Sequence, residues 1–414
     1  MIVMKNTLLH YVFILMFTLL FPQVDCSAGI SEVGPVKPLV NKDENLLELT
    51  FREIIEKYYS DKFYLGIANH AKSLGQLSTE IADREFNYIT PSNDFKQSYI
   101  HPTFTSWRWD NPDAYLLHAK EKGQLLRIHG PISPQCSKWV KEDKRTSKEL
   151  VKMLEEYMTQ LCVRYGNQPN VRWMDVVNET IAKENVNDPV FGPQKRGEWF
   201  AARQGTDKWE NPWTIIGYDE TSDIRTPLYI DMAFALSNKY APGVKQIINQ
   251  HGNFEEVVWE QMKKLVKYLR GKGRRVDGIG WQAHIDTGWE KTEGNVKRLD
   301  DFITWCHANN LEFHITEMNV WIKDLETTSE AQQAETFATV IETVLKHYKQ
   351  GKVGVNFWNV RDEDTANSAW NGCIWRNDGT PRPAYNRIKE VLIRYIEKLS
   401  LIHISEPTRR VVIS

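Results

Sequence analysis

Short apolar runs rich in β-branched residues alternate along this chain with longer stretches whose apolar positions recur at helical spacing. Residues 63–69, 86–90, 125–129, 171–177, 245–249, 278–284, 313–318 and 354–360 read as strands. Residues 114–122, 148–165, 228–240, 254–270, 296–309, 330–348 and 383–399 carry the helical period. The helical segment after Asn69 is less distinct. Strands that alternate with helices predict parallel pairing with crossover helices. Eight strands over about 300 residues is the count of a single (β/α)8 barrel of the α/β class. A doubly wound open sheet competes, but its first turn is usually Gly-rich, and Ile67-Ala68-Asn69-His70 is not.

The flanks set the domain limits. Lys5 followed by an apolar run over residues 8–21 reads as a secretory signal ending near Ala28, because about 14 residues is short for a span of about 20. Residues 29–46 read as an exposed leader, 47–399 as one catalytic domain, and 400–414 as a tail outside the fold. The chain is therefore expected to be exported and to have no membrane attachment once the signal is removed.

Composition narrows the function. The formal net charge is −2 and the basic residues are dispersed, which excludes the clustered positive face of a nucleic-acid binder. Fifteen tryptophans are an unusual number; most are expected in the core or its cover, and some as flat platforms for the apolar C–H faces of sugar rings. Five cysteines leave four beyond Cys26, which allows three pairings or a set of buried free thiols, and their spacing fits no zinc framework.

The chemistry is carried by two acids. One strand runs Trp173-Met174-Asp175-Val176-Val177-Asn178-Glu179, and another runs Phe313-His314-Ile315-Thr316-Glu317-Met318-Asn319. Strand alternation groups Trp173, Asp175, Val177 and Glu179 on one face, and Phe313, Ile315 and Glu317 on one face, with His314 opposite. Barrel enzymes work at the C-terminal mouth of the strands, so both carboxylates can meet one bond. Glycosidic cleavage needs such a pair, and retention of configuration needs them roughly 5–5.5 Å apart.

These segments resemble family 10 glycoside hydrolases, mostly endo-β-1,4-xylanases, over roughly residues 50–398. Trp173 to Glu179 is similar to that family's acid/base signature, and Ile315 to Asn319 to its nucleophile segment. Residues 89–96 resemble its glycone-binding loop, and Gly280-Trp281-Gln282-Ala283-His284 the segment whose His bonds the nucleophile. Phe357-Trp358 and Trp370 resemble its aromatic walls, and residues 381–385 its barrel-closing motif. The resemblance implies Glu179 as acid/base with a raised pKa, and Glu317 as ionised nucleophile held by His284. It implies that Asn178 bonds the sugar 2-hydroxyl, and that Asn93, Lys96, His129 and Gln135 hold the glycone. Gln282, Trp358 and Trp370 complete the expected substrate-binding set. A polysaccharide or oligosaccharide is the expected partner, acted on by a monomer without metal or cofactor. The sequon Asn178-Glu179-Thr180 lies in the expected cleft, where glycosylation is not expected.

Departures from the family fall on sugar-binding surface. Ser92 stands where the family usually has Glu. The segment 127–135 lacks the usual Trp-His pair, about four extra residues stand near 363–366, and Ile248-Asn249-Gln250-His251-Gly252 is atypical. Retained chemistry with altered glycone recognition is the expectation. Two other readings compete. A metal-dependent barrel hydrolase would draw on His129, His251, His284 and His314, but no close His-x-His pair or bridging Lys is present. A non-catalytic carbohydrate binder on the same barrel would usually have lost one of the two acids. Gly271-Lys272-Gly273-Arg274-Arg275 follows a helix instead of a strand, which argues against a phosphate loop.

Overall fold

The computed structural model describes residues 45–405 except 60, 142–144, 189–191 and 202–210. The expected signal and nearly all of the leader, like residues 406–414 of the expected tail, lie outside the described residues. Eight parallel strands close into a barrel: β1 (Phe63–Ala68), β2 (Tyr88–Thr90), β3 (Leu125–Ile128), β4 (Val171–Asn178), β5 (Lys245–Gln250), β6 (Gly278–Trp281), β7 (Glu312–Trp321) and β8 (Val353–Phe357). Each strand pairs with the next, and β8 closes onto β1 with Val353 opposite Phe63. All eight expected strands are present. The segment expected as one strand over 278–284 ends at Trp281, and a separate short strand His284–Asp286 then pairs with the end of β7.

A helix follows every strand, from Leu77–Glu85 after β1 to Pro383–Ser405 after β8. The last one runs beyond the boundary expected at residue 399. A further helix, Phe51–Tyr58, precedes β1 and was not expected. Its start is specified locally: Thr50 caps the Glu53 amide while the Glu53 carboxylate returns to the Thr50 amide. Phe51 then packs against Phe86 and edge-on against Trp375, tying this helix to the barrel.

The barrel interior is stacked in layers. At the base Trp173 meets Tyr64 edge-on, with ring centres 4.8 Å apart, and donates to Glu312, which also faces His314. Above it, the fully buried Arg127 and Asp175 form an ion pair at 2.8 Å, and the second Asp175 oxygen lies 3.1 Å from His129 Nδ1. Burying such a charge pair is costly, and a further bond offsets part of that cost: Arg127 Nε also donates to Tyr88. Cys162, Cys306 and Cys373 are buried thiols without disulfides, and burial pushes their ionisation up. No described helix is long and apolar enough to cross a membrane.

Strict alternation does not hold along β4 and β7. Phe313 packs outward on Phe302 of helix Asn295–Ala308, whereas His314 points inward to Trp173. His314 and Glu317 therefore share the interior at different depths, which corrects the expected grouping of Glu317 with Phe313. The reason is a register shift between Ile315 and Met318, and a second between Asp175 and Val177. A bulge inserts a residue and re-aims the side chains beyond it.

Candidate active site

Glu179 and Glu317 line one cleft at the C-terminal mouth of the barrel, a cavity of about 920 Å³. Both are nearly buried, 7% and 4% exposed. Glu179 follows the last residue of β4 with φ of 57°, left-handed backbone that a residue with a Cβ seldom adopts. The bulge and this turn together aim its carboxylate.

Two side-chain amides join the acids. Gln282 Nε2 donates to Glu179 Oε1 at 2.8 Å and to Asn178 Oδ1 at 3.1 Å. Asn249 Nδ2 donates to the same Asn178 oxygen at 2.9 Å and to Glu317 Oε1 at 2.8 Å. Asn249 is in turn held by Thr316, whose hydroxyl donates to Asn249 Oδ1 at 2.6 Å. Space for this crossing exists because β6 carries Gly280: a Cβ there would stand 2.5 Å from Asn249 Oδ1.

The second oxygen of Glu317 lies 3.3 Å from His284 Nε2, and the ring's other nitrogen lies 3.1 Å from Asn319 Oδ1. His129 Nε2 approaches Glu317 Oε1 at 3.7 Å. Burial pushes the Glu317 carboxyl up, but the charge of His129 and the bond and charge of His284 outweigh it and hold it down at about 2. Glu317 is thus ionised over the whole physiological range, as expected.

Glu179 differs from expectation. Burial raises its carboxyl, yet the charges of His251 and Lys96 and the Gln282 amide together lower it more, leaving it below the ordinary value. The raised value was expected from the acid/base role; the cations that converge here were not. Burial likewise dominates at Lys96 and lowers it, against the pull of the two glutamates.

Of the other expected residues, Asn93, Lys96, Gln135, Gln282, His284 and Trp358 line the cleft. Lys96 donates to Gln135. His129 and Asn178 lie just beneath its surface, each 1% exposed, and Asn178 Nδ2 is a buried donor without a partner. Trp370 does not line the cleft. It packs edge-on against Trp321, which does, with ring centres 4.9 Å apart. The tryptophans that line the cleft are therefore Trp358 and Trp321, with Trp370 packed against Trp321. Thr365, Ala366 and Asn367, in and beside the extra segment, also reach the cleft. Ser92 stands on left-handed backbone, its hydroxyl 3.2 Å from His70.

Asn249 and Trp321 were not singled out as site residues, and His251 was considered only as a metal ligand in the competing reading. Their signal was position alone: polar or aromatic side chains at the C-terminal ends of barrel strands, where side chains reach the mouth. Among the described residues no three His, Cys, Asp or Glu side chains form a group that could hold a metal ion. His129, His251 and His284 instead each face a carboxylate.

A family model described as glycosyl hydrolase family 10 matches residues 54–391. Endo-1,4-beta-xylanase A of Caldicellulosiruptor saccharolyticus is 30% identical over 325 residues, covering 75% of this chain and 86% of that protein. Endo-1,4-beta-xylanase A of Caldicellulosiruptor sp. (strain Rt8B.4) is 25% identical over 74% of this chain, which spans only 42% of that longer protein. Among solved structures, xylanase 10B from Thermotoga petrophila RKU-1 in complex with xylobiose superposes with a TM-score of 0.69 at 24% identity. That match covers 84% of this chain and 98% of the other, and it shows a shared fold.

Proposed function

The chain belongs to glycosyl hydrolase family 10 and is a xylanase-like glycoside hydrolase, and on that premise we propose that it cleaves β-1,4-linked xylan or a related decorated glycan by double displacement. Glu317 is the nucleophile and Glu179 the acid/base. The observation that carries this reading is the shared cleft, in which two buried carboxylates from β4 and β7 are joined through Asn178 by two amides.

In the first step a Glu317 oxygen bonds to the anomeric carbon while the leaving oxygen departs with a proton from Glu179. In the second, water attacks the same carbon, gives its proton to Glu179 and releases Glu317. The unpartnered Asn178 Nδ2 suits a sugar 2-hydroxyl, a bond that tightens as positive charge grows on the ring. Lys96, Asn93, His129 and Gln135 suit the glycone, and Trp358 and Trp321 offer faces for stacking. Ser92 and the wall at 365–367 favour a substrate other than plain xylan. Residues 1–28 read as an export signal, which suits an insoluble polymer outside the cell.

The test is product analysis by NMR on xylan, mixed-linkage glucan and decorated or algal polysaccharides. Retention requires the β anomer first, and an α product appearing first from a β-linked substrate overturns the mechanism. Glu317→Ala is expected to remove turnover by more than about 10⁴-fold while sugar binding persists. Plain xylan as the best substrate by a wide margin removes the decorated reading and leaves the chemistry standing.

A further inference from the structure

His251, just past β5, stands beside the carboxyl read above as the acid/base. Its Nδ1 lies 3.9 Å from Glu179 Oε1, the oxygen that already accepts from Gln282. His251 Nε2 is buried without a hydrogen-bond partner, and so is Glu179 Oε2. Two titratable groups thus sit side by side in the same cleft, each with a polar atom unsatisfied.

We propose that His251 is a positioning residue that stores the proton Glu179 delivers, an inference that rests on the reading of Glu179 as acid/base. A carboxyl and an imidazole this close titrate as a pair, and in a shielded site the pair holds one proton across the range between their separate values. The groups facing it are Lys183 from the loop after β4, Glu255 ahead of helix Glu256–Gly271, and, on the Glu179 side, Lys96 and Glu317. Burial disfavours the imidazolium and, with Lys183, lowers the ring below its ordinary value, against Glu179, a backbone bond at Ile181 and Glu255, which favour the charged form.

On the acid side of neutrality, where the pair holds one proton, that proton rests on the ring in the free protein and Glu179 is ionised. Sugar entering the cleft displaces water, and an ion pair loses more from that than a neutral pair does. A short rotation of the ring then lets the Nδ1–H bond break as an O–H bond forms on Glu179. The carboxyl is loaded and the ring neutral. Glu179 passes this proton to the leaving oxygen and recovers one from the attacking water, so no further reactant is needed. The store explains how a carboxyl lowered in the free protein can act as an acid.

The test compares His251→Gln and His251→Phe with the unaltered protein, following kcat/KM against pH. One substrate is a β-1,4-xylooligosaccharide. The other is an aryl glycoside whose acidic leaving group departs without protonation. Without the ring the proton is held by Glu179 alone. The alkaline limb on the oligosaccharide is expected to fall by about one pH unit, with a loss of about tenfold on that limb. The aryl glycoside limb is expected to stay in place, which also shows that the variants fold. An oligosaccharide limb that stays in place in both variants overturns the proposal. Glu179→Ala separates the two layers of argument. Unimpaired oligosaccharide turnover in that variant overturns the acid/base reading itself. A drop of about 10²–10⁴-fold beside unmoved His251 limbs overturns the proton store alone.

Discussion

Asn249 Nδ2 stands 2.8 Å from Glu317 Oε1, closer than either histidine that faces the same carboxylate. A neutral donor at that distance fixes the direction of the carboxylate proposed as nucleophile without adding charge. Replacing it with a carboxylate puts like charges in contact in a buried site, which favours the protonated, inactive form of Glu317. Asn249→Asp is expected to lower kcat/KM by about 10²-fold near neutrality. Asn249→Ser keeps the charge and should lose less, and steady-state kinetics on both variants checks the order.

Gly280 leaves the room in which this amide sits. An added Cβ would stand 2.5 Å from Asn249 Oδ1 and 2.7 Å from Thr316 Cγ2, both parts of well-held groups. Gly280→Ala is expected to cost about 1–3 kcal/mol by overpacking and to lower activity at least about tenfold. Calorimetry beside kinetics tests this, and a variant of normal Tm and normal rate contradicts it.

Beneath the site, Arg127 and Asp175 are fully buried and mutually bonded. Asp175→Asn leaves a buried guanidinium without its counter-charge, and its expected cost is about 3–5 kcal/mol, read from denaturant unfolding. The double change Arg127→Met with Asp175→Leu should recover much of that loss, because it removes both charges together. Activity is not expected to return with it, since His129 loses the carboxylate behind it.

His70 supplies a pH-dependence of stability. Burial, with the nearby Lys72, lowers its imidazole from 6.5 to about 4. The unfolded chain therefore binds a proton that the folded chain refuses between those values. Stability is fully present above about 6.5 and declines as pH falls towards 4. The decline from this group is roughly 2–3 kcal/mol after allowance for its partial exposure. Urea midpoints across that window should slope downward with acid, and the slope should flatten in His70→Asn.

Which features were legible follows from which forces are local. The eight strands and most helices came through because burial imposes a period of two or 3.6 on the residues themselves. Helix Phe51–Tyr58 was also locally encoded, by Thr50 and Glu53, but a single cap motif is easily passed over beside longer patterns. The direction of Glu317 was not legible from alternation, since the shift between Ile315 and Met318 arises from how β7 lies against β8. The lowering of Glu179 was hidden for the same reason. Lys96 and His251 reach it from beyond the ends of β2 and β5, 83 residues before and 72 residues after it in the chain (179 − 96 and 251 − 179). Trp321 against Trp370 is a further case: both are mouth-end tryptophans in sequence, and only packing decides which one meets the cleft.

The linkage from Gln282 through Asn178 to Asn249 contains no group that ionises at any ordinary pH. It acts as an insulated strut, holding the spacing of the two acids rigid while conducting no proton between them. Each acid is then open to separate adjustment, Glu317 from the side of His129 and His284 and Glu179 from the side of His251. Under the proposed mechanism, drift in one flank during evolution acts first on the half-reaction of the acid it faces, whereas a change at Lys96, which acts on both acids, moves the two together.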